Sequence, residues 1–320
     1  MMMMAEAQEE DDRIFVYMGG DQQVPRHIRR ARIHKSVKIV RARAFRYRRN
    51  LISVEFHDGV EIIEEDAFND CKSLKSFKLL GIKILKEGAF CFCSGLTDVE
   101  FGDKLETIEE SAFHFCTSLR NIRMPSVMTI GVRAFYYCIQ LTDLEFPEGL
   151  ETLHENAFQH CESVRRITMP LKDDMIAVSV FNNCPNLTTV DLVGGIHKTI
   201  ASLHLDSWIN EMKGEISEIN QTLPNTDRFE KTQAVQQWMG SVIRRLDRYK
   251  AEHQKVLKEA TTLLELALWK ANLEDNEGGV VETEGVRFTR GRRKRARREI
   301  SITSGASIVI KNVLPFLELK

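Results

Sequence analysis

Apolar residues recur along much of the chain at a fixed interval. Phe45, Phe68, Phe90, Phe113, Phe135, Phe158 and Phe181 follow one another at 22 or 23 residues, and Ala precedes all but the last. Six residues after each Phe stands Leu51, Leu74, Leu96, Leu119, Leu141, Val164 or Leu187. Nine and eleven residues after it come pairs such as Val54 with Phe56, Val99 with Phe101, Ile122 with Met124, and Leu144 with Phe146. Alternation with period two over so short a window predicts a strand with one buried face, bounded by turn signals such as HDG, MPS and FPEG. Another apolar residue lies five before each Phe (Val40, Ile63, Leu85, Ile108, Ile130, Leu153, Ile176), where the chain turns back toward the next coil. One strand and one return segment per repeat predict a solenoid, in which no unit buries its own apolar face and neighbours supply the core.

Written as AFHFCTSLRNIRMPSVMTI and AFYYCIQLTDLEFPEGLETL, the unit resembles the BspA-like leucine-rich repeat, also called the Treponema pallidum type. The resemblance covers about residues 24–193. It implies a curved solenoid with a parallel β-sheet on its concave face, short return segments, and a role in binding proteins or other macromolecules. It implies no catalytic residues, no cofactor and no particular ligand.

Charge changes the picture more than composition does. The net charge is −1, yet residues 22–54 carry eleven Lys or Arg and no acid, whereas residues 55–162 carry twenty acidic and nine basic residues. Ten residues after each Phe the series runs Glu55, Lys78, Glu100, Arg123, Glu145, then Thr168 and Asp191. These side chains lie between two inward residues, so they point out of the strand face, where opposite charges on neighbouring strands stabilise pairing by about 0.2–1 kcal/mol each. Ser53, Glu55, His57, Lys78, Asp98, Glu100, Arg123, Asp143 and Glu145 are therefore the candidate partner-binding residues. A ladder that merely neutralises itself is the competing reading.

The ends differ from the repeats. Residues 1–13 are acidic and polar and are expected to be disordered; 14–195 read as the solenoid with a basic N-terminal cap. Arg26, Arg29, Arg30, Arg32, Arg41, Arg43, Arg46 and Arg49 supply that charge, either as an anion site or as a solvated cap that balances the acidic repeats. Arg48 occupies the position where the following six repeats place Cys, and a buried unpaired cation is costly, so it is expected to reach solvent past the edge. From 203 to 272 the period changes. Leu205, Trp208, Met212, Ile216, Ile219 and Leu223 give one helix, and Asp227 with Glu230 resembles a capping box for a second. Val235, Met239, Val242, Leu246, Tyr249, His253, Val256, Ala260, Leu263 and Ala267 then form a heptad seam, which predicts an α-helical hairpin with coiled-coil character and self-association. Residues 273–298 read as an acidic then basic linker, and 299–320 as an apolar segment that docks on the helices.

Candidate chemistry is sparse. In the linker, Arg290, Arg292, Arg293, Lys294, Arg295, Arg297 and Arg298 form a patch of nuclear-import type, the basis of an alternative reading as a nuclear regulatory or nucleic-acid-associated protein. No interleaved aromatics support nucleic-acid binding, so nucleic acid is not the expected partner. The N-terminus lacks the features of a secretory signal and no apolar run has bilayer length, so a cytoplasmic or nuclear protein without a membrane partner is expected. Cys91-Phe92-Cys93 invites a thiol or metal reading, yet Cys93 shares its offset from Phe with Cys71, Cys116, Cys138, Cys161 and Cys184. Those six are expected to be buried structural thiols whose S–H meets a backbone acceptor; Cys91 alone falls outside the register. No nucleophile elbow, phosphate-cradling loop, HExxH or paired CxxC is present, so no metal site and no enzyme activity are expected.

Overall fold

The computed structural model of the chain describes residues 14–193 and 206–277. The acidic N-terminus 1–13, the basic run 290–298 and the apolar segment 299–320 lie outside the described residues.

The repeats form a parallel β-solenoid. Its first ladder comprises β1 (Ile14–Tyr17), β2 (Arg30–Ile33), β4 (Ser53–Glu55), β6 (Ser76–Leu79), β8 (Asp98–Phe101), β10 (Asn121–Arg123), β12 (Asp143–Glu145), β14 (Arg166–Met169) and β15 (Thr189–Leu192). Every hydrogen-bonded pair is parallel, and from β2 onward the register steps by one repeat, as in Phe77↔Val99 and Val99↔Ile122, while β1 joins β2 at a shorter offset, Ile14↔Arg30. The return segment is also a ladder, which period-two pattern reading does not reveal because each rung is two residues long. Its strands are β3 (Ile39–Val40), β5 (Ile62–Ile63), β7 (Ile84–Leu85), β9 (Thr107–Ile108), β11 (Thr129–Ile130) and β13 (Thr152–Leu153), joined into one six-stranded sheet. Its inward members are the apolar residues five before each Phe.

A third set of bonds crosses the turns around each spine Phe. Asp66, Phe68 and Asp70 N–H groups donate to Glu87, Ala89 and Cys91 carbonyls at 2.8–2.9 Å, and equivalent bonds recur along the array. Bringing those N–H groups into line requires left-handed backbone at the positions two before and two after each Phe, with φ of 52–63° at the non-glycine residues, Asp66 and Asp70 among them. Left-handed backbone costs an L-residue roughly 1–2 kcal/mol, so the bonds and the packing beneath them must offset a repeated cost.

Packing beneath is dense. The seven spine Phe side chains are fully buried and stack with centroid separations of 4.7–6.1 Å and interplanar angles of 4–18°. Tyr17 of β1 closes the N-terminal end of that stack edge-on at 5.2 Å from Phe45. Beside the spine runs the thiol ladder. Cys71, Cys93, Cys116, Cys138, Cys161 and Cys184 each donate Sγ–H to the carbonyl of the preceding repeat's Phe, at 3.1–3.3 Å. All seven cysteines are free and buried, Cys91 included.

Arg48 departs from expectation. Rather than passing the edge into solvent, its guanidinium is half-buried and donates to the Val24 carbonyl through Nε at 3.1 Å and through Nη2, and to the Arg46 carbonyl at 2.5 Å. The preceding coil offers no spine Phe there, and the longer side chain reaches back to the carbonyl that is available. Arg48 thus replaces the Cys rung, and the buried cation is tolerated because carbonyls solvate it.

Two helices follow, α1 (Asp206–Thr222) and α2 (Lys231–Glu277), joined by a short 3-10 turn at Leu223–Asn225. The chain divides into two compact units after Arg244, so α1 and the first part of α2 belong with the solenoid. Together they close its C-terminal end. Asn220 pairs with both the N–H and the C=O of Val190, at 2.7 and 3.2 Å, as a neighbouring strand would. Gln236 donates to the Ile176 and Ala177 carbonyls at 2.7 and 3.2 Å, and Thr232 Oγ1 accepts the Phe181 N–H at 2.8 Å. Each of the three ladders therefore ends on a side chain of the helices. Buried Lys231 adds bonds to the Leu187 carbonyl at 2.9 Å and to the Leu223 carbonyl.

In the second unit, the described part of α2 is one continuous helix. Val256, Leu263, Leu266, Leu268 and Trp269 are exposed on it.

Candidate functional site

The outward side chains of the first ladder form two rows. One contains Ser53, Ser76, Asp98, Asn121 and Asp143; the other contains Glu55, Lys78, Glu100, Arg123 and Glu145. Strands β6, β8 and β10 align Lys78, Glu100 and Arg123 side by side, and Ser76, Asp98 and Asn121 side by side. Across β6, β8, β10 and β12 lies a groove of about 1000 Å³. It gathers Lys78, Asp98, Glu100, Arg123, Asp143 and Glu145, which are six of the nine residues predicted for partner binding. The other three, Ser53, Glu55 and His57, do not line it.

The absent three have local partners or positions instead. Glu55 pairs with Arg32 of the cap at 2.5 Å, and Ser53 lies beside Arg30 in the same sheet. His57 Nδ1 accepts the Gly59 N–H at 3.1 Å, and its Nε2 lies 3.0 Å from the His34 carbonyl, so the ring bridges two coils. The hydrogen-bonded first-ladder sheet is interrupted between β4 and β6 and again between β10 and β12, although the strands on either side of each break stay in contact.

Within the groove the charges are unequal in their engagement. Lys78 Nζ lies 2.6 Å from Glu100, and that bond, the Lys78 charge and the nearby Arg123 hold the Glu100 carboxyl below its ordinary range. Asp98 is lowered by hydrogen bonds from Asn121, at 2.8 Å, and Thr97. Arg123, Asp143 and Glu145 make no ion pair or side-chain hydrogen bond among the described residues. The alternating ladder thus forms ion pairs at Arg32–Glu55 and Lys78–Glu100, whereas Arg123 acts on Glu100 through its charge without pairing with it. Met124, Pro125, Phe146 and Pro147 provide apolar lining. Met124 and Phe146, expected in the core from the period-two pattern, are buried there at 2% and 3% exposure, and the MP and FP steps, read as turn signals, leave Pro125 and Pro147 as the accessible apolar lining.

The basic cap is largely engaged with the acidic repeat that follows it. Arg41 meets Glu64 at 3.4 Å, Arg43 meets Glu65 at 2.7 Å, Arg46 meets Asp66 at 3.4 Å and Arg49 meets Asp70 at 2.6 Å. Between the two readings offered for these arginines, the geometry favours charge balance over an anion site. Burial pushes the Cys91 and Cys184 thiols up to about 12 and those of Cys93, Cys116, Cys138 and Cys161 well above the ordinary value, the reverse of nucleophile activation. Among the described residues, no group of three or more His, Cys, Asp or Glu side chains is arranged to hold a metal ion. No helix among them is long and apolar enough to cross a membrane.

Parallel coils with a Phe spine, a Cys rung and a strand on one face define a leucine-rich repeat protein. The chain belongs to the BspA type leucine-rich repeat family, whose model matches residues 26–128 and 83–207 in six copies. Among solved structures it is similar to the leucine-rich repeat protein of T. pallidum, with 30% identity and a TM-score of 0.40 over 41% of this chain and 62% of that one. A Bacteroides ovatus leucine-rich repeat protein matches with 19% identity and a TM-score of 0.36, over 52% of this chain and 56% of that one. One from Eubacterium ventriosum matches with 21% identity and a TM-score of 0.43, over 53% and 42%. The chain spans less than two thirds of the length of each. No significant match is found among curated proteins.

Proposed function

We propose that the chain is a non-catalytic scaffold that binds a protein partner in the groove across β6, β8, β10 and β12. The observation that carries this reading is the grouping of Arg123, Asp143 and Glu145, which make no ion pair or side-chain hydrogen bond among the described residues, beside the accessible apolar surface of Pro125 and Pro147. Unpaired surface charge beside desolvatable apolar area is the composition of a binding patch, since steering and anchoring are separately supplied. Family membership supports the class of activity in general: leucine-rich repeat solenoids are commonly protein-binding and typically non-enzymatic. The partner's facing surface must offer an acid for Arg123 and a base for Asp143 and Glu145.

The test is affinity capture with the intact chain, comparing wild type with the triple variant Arg123→Glu, Asp143→Lys, Glu145→Lys. A control reverses Glu252 and Lys255, exposed charges of α2 that do not line the groove. Loss of a captured protein from the triple variant and its retention by the control is expected; identical capture by all three would reduce the groove to structure.

A further inference from the structure

The turn edge of the solenoid carries a second surface. Two residues after each spine Phe the chain places Tyr47, Asp70, Phe92, Phe115, Tyr137, His160 and Asn183, all with left-handed backbone. Asp, Asn and His are enriched in that conformation; Phe and Tyr are uncommon, bulky occupants. Yet four successive rungs carry rings. Phe92 stacks on Phe115 at 5.4 Å and 20°, Phe115 on Tyr137 at 4.8 Å and 8°, and Tyr137 on His160 at 4.4 Å and 21°. Phe92 remains 43% exposed. Around the middle of the strip, His114, Phe115, Arg133, Tyr136 and Tyr137 line a shallow cleft of about 450 Å³. Arg133 is the cation of that cleft and makes no ion pair among the described residues. Burial, and then Arg133, lower the pKa of His114, so the cleft's fixed charge is the guanidinium.

The geometry limits what fits. Ring faces in the strip are taken up by neighbouring rings, so it offers edges and a phenol to the outside, not the open faces on which bases stack. An extended strand repeats its same-face side chains at about 6.8 Å, which matches neither one rung nor two. A polyproline II helix returns to the same face every three residues, roughly 9 Å along its axis, close to the two consecutive steps of 4.8 and 4.4 Å from Phe115 to His160. Such a segment is pre-ordered and loses little entropy on docking to an aromatic-lined cleft. We propose that this aromatic edge binds a proline-rich, polyproline II segment of a partner protein, with an acidic residue of the segment meeting Arg133. This surface is separate from the strand-face groove and does not depend on it.

Titration calorimetry of the intact protein with the synthetic peptides (Pro-Pro-Glu)4, (Pro-Pro-Lys)4 and (Gly-Ser-Glu)4 tests the idea. Binding of the first is expected, with the other two weaker by about tenfold or more. Phe115→Asn and Tyr137→Asn are expected to weaken (Pro-Pro-Glu)4 by about tenfold while the urea midpoint stays unchanged or rises, because Asn suits the left-handed position. Arg133→Gln should remove the preference for Glu over Lys, and the groove triple variant should bind as wild type does. Equal affinity for the three peptides, no binding of (Pro-Pro-Glu)4, or indifference to Arg133→Gln would overturn the proposal. A lowered midpoint in both Asn variants would make the stack a structural device and overturn it as well.

Discussion

At the scale of single residues, the spine and the thiol ladder make sharp predictions. Phe113 is fully buried between Phe90 and Phe135, at 5.4 and 5.1 Å. Phe113→Ala removes these contacts and the edge-on one with Phe101, and leaves a cavity that parallel coils cannot collapse into, so a loss of about 3–5 kcal/mol in urea unfolding is expected. Phe113→Leu should cost distinctly less. Thiols give a pH dependence with a definite sign. Burial raises the Cys91 and Cys184 pKa to about 12 from the ordinary 9.0, and Cys93, Cys116, Cys138 and Cys161 also rise. A raised folded value means that the unfolded chain releases its protons first, so stability is fully present below pH 9 and falls as pH climbs from about 9 toward 12. Urea midpoints measured from pH 8 to 11 should decline, and Cys116→Ala should make the decline shallower. Native protein at pH 8 should react slowly with a thiol reagent at all seven sites; rapid labelling of the rung cysteines would contradict their burial. These positions were legible in the sequence because Phe and Cys are few in kind and recur at one offset. The stacked Phe92, Phe115 and Tyr137 were not, since the residues at that offset change type along the array, from Tyr47 and Asp70 to His160 and Asn183.

At the scale of elements, the strand ladder and its turns follow from period-two alternation, but the closing of the ends does not. Its agents are polar side chains, Asn220, Thr232 and Gln236, which a hydrophobic pattern passes over as surface. Sequence reading found the helices from Met212, Ile219, Val235, Met239 and Val242, all buried, and had no means of seeing that they cover the last coil. Pairing of Asn220 with both backbone groups of Val190 substitutes for a missing strand and leaves two polar groups unsatisfied if removed. Asn220→Ala is expected to lower stability by about 1–3 kcal/mol, and hydrogen exchange should show the loss of protection at Val190 rather than at Phe113. Equal loss along the whole spine would mean that the cap acts globally, not through this bond.

At the scale of the whole molecule, the chain carries more unsatisfied apolar surface than its solenoid accounts for. Val256 and Leu263 fall in the heptad seam of α2 and are 57% and 66% exposed, with Leu266, Leu268 and Trp269 exposed beside them. The seam begins earlier, at Val235, Met239 and Val242, where the same periodicity is buried within the first unit. One heptad pattern thus serves two purposes along a single helix, and the sequence offers two occupants for its exposed second half, the apolar segment 299–320 or another chain. If the partner is a second copy of the chain, the seam matches itself at heptad spacing. Sedimentation equilibrium of the intact protein should then show a dimer that dissociates on dilution, and Leu263→Glu with Trp269→Glu should give a monomer with an unchanged urea midpoint for the solenoid. A wild-type chain that stays monomeric at the highest concentration reached would remove self-association. A mutant monomer would then also report on the solenoid's binding: capture of a partner that weakens on going from dimer to monomer, with the groove residues intact, would show that two weak sites act together through effective concentration.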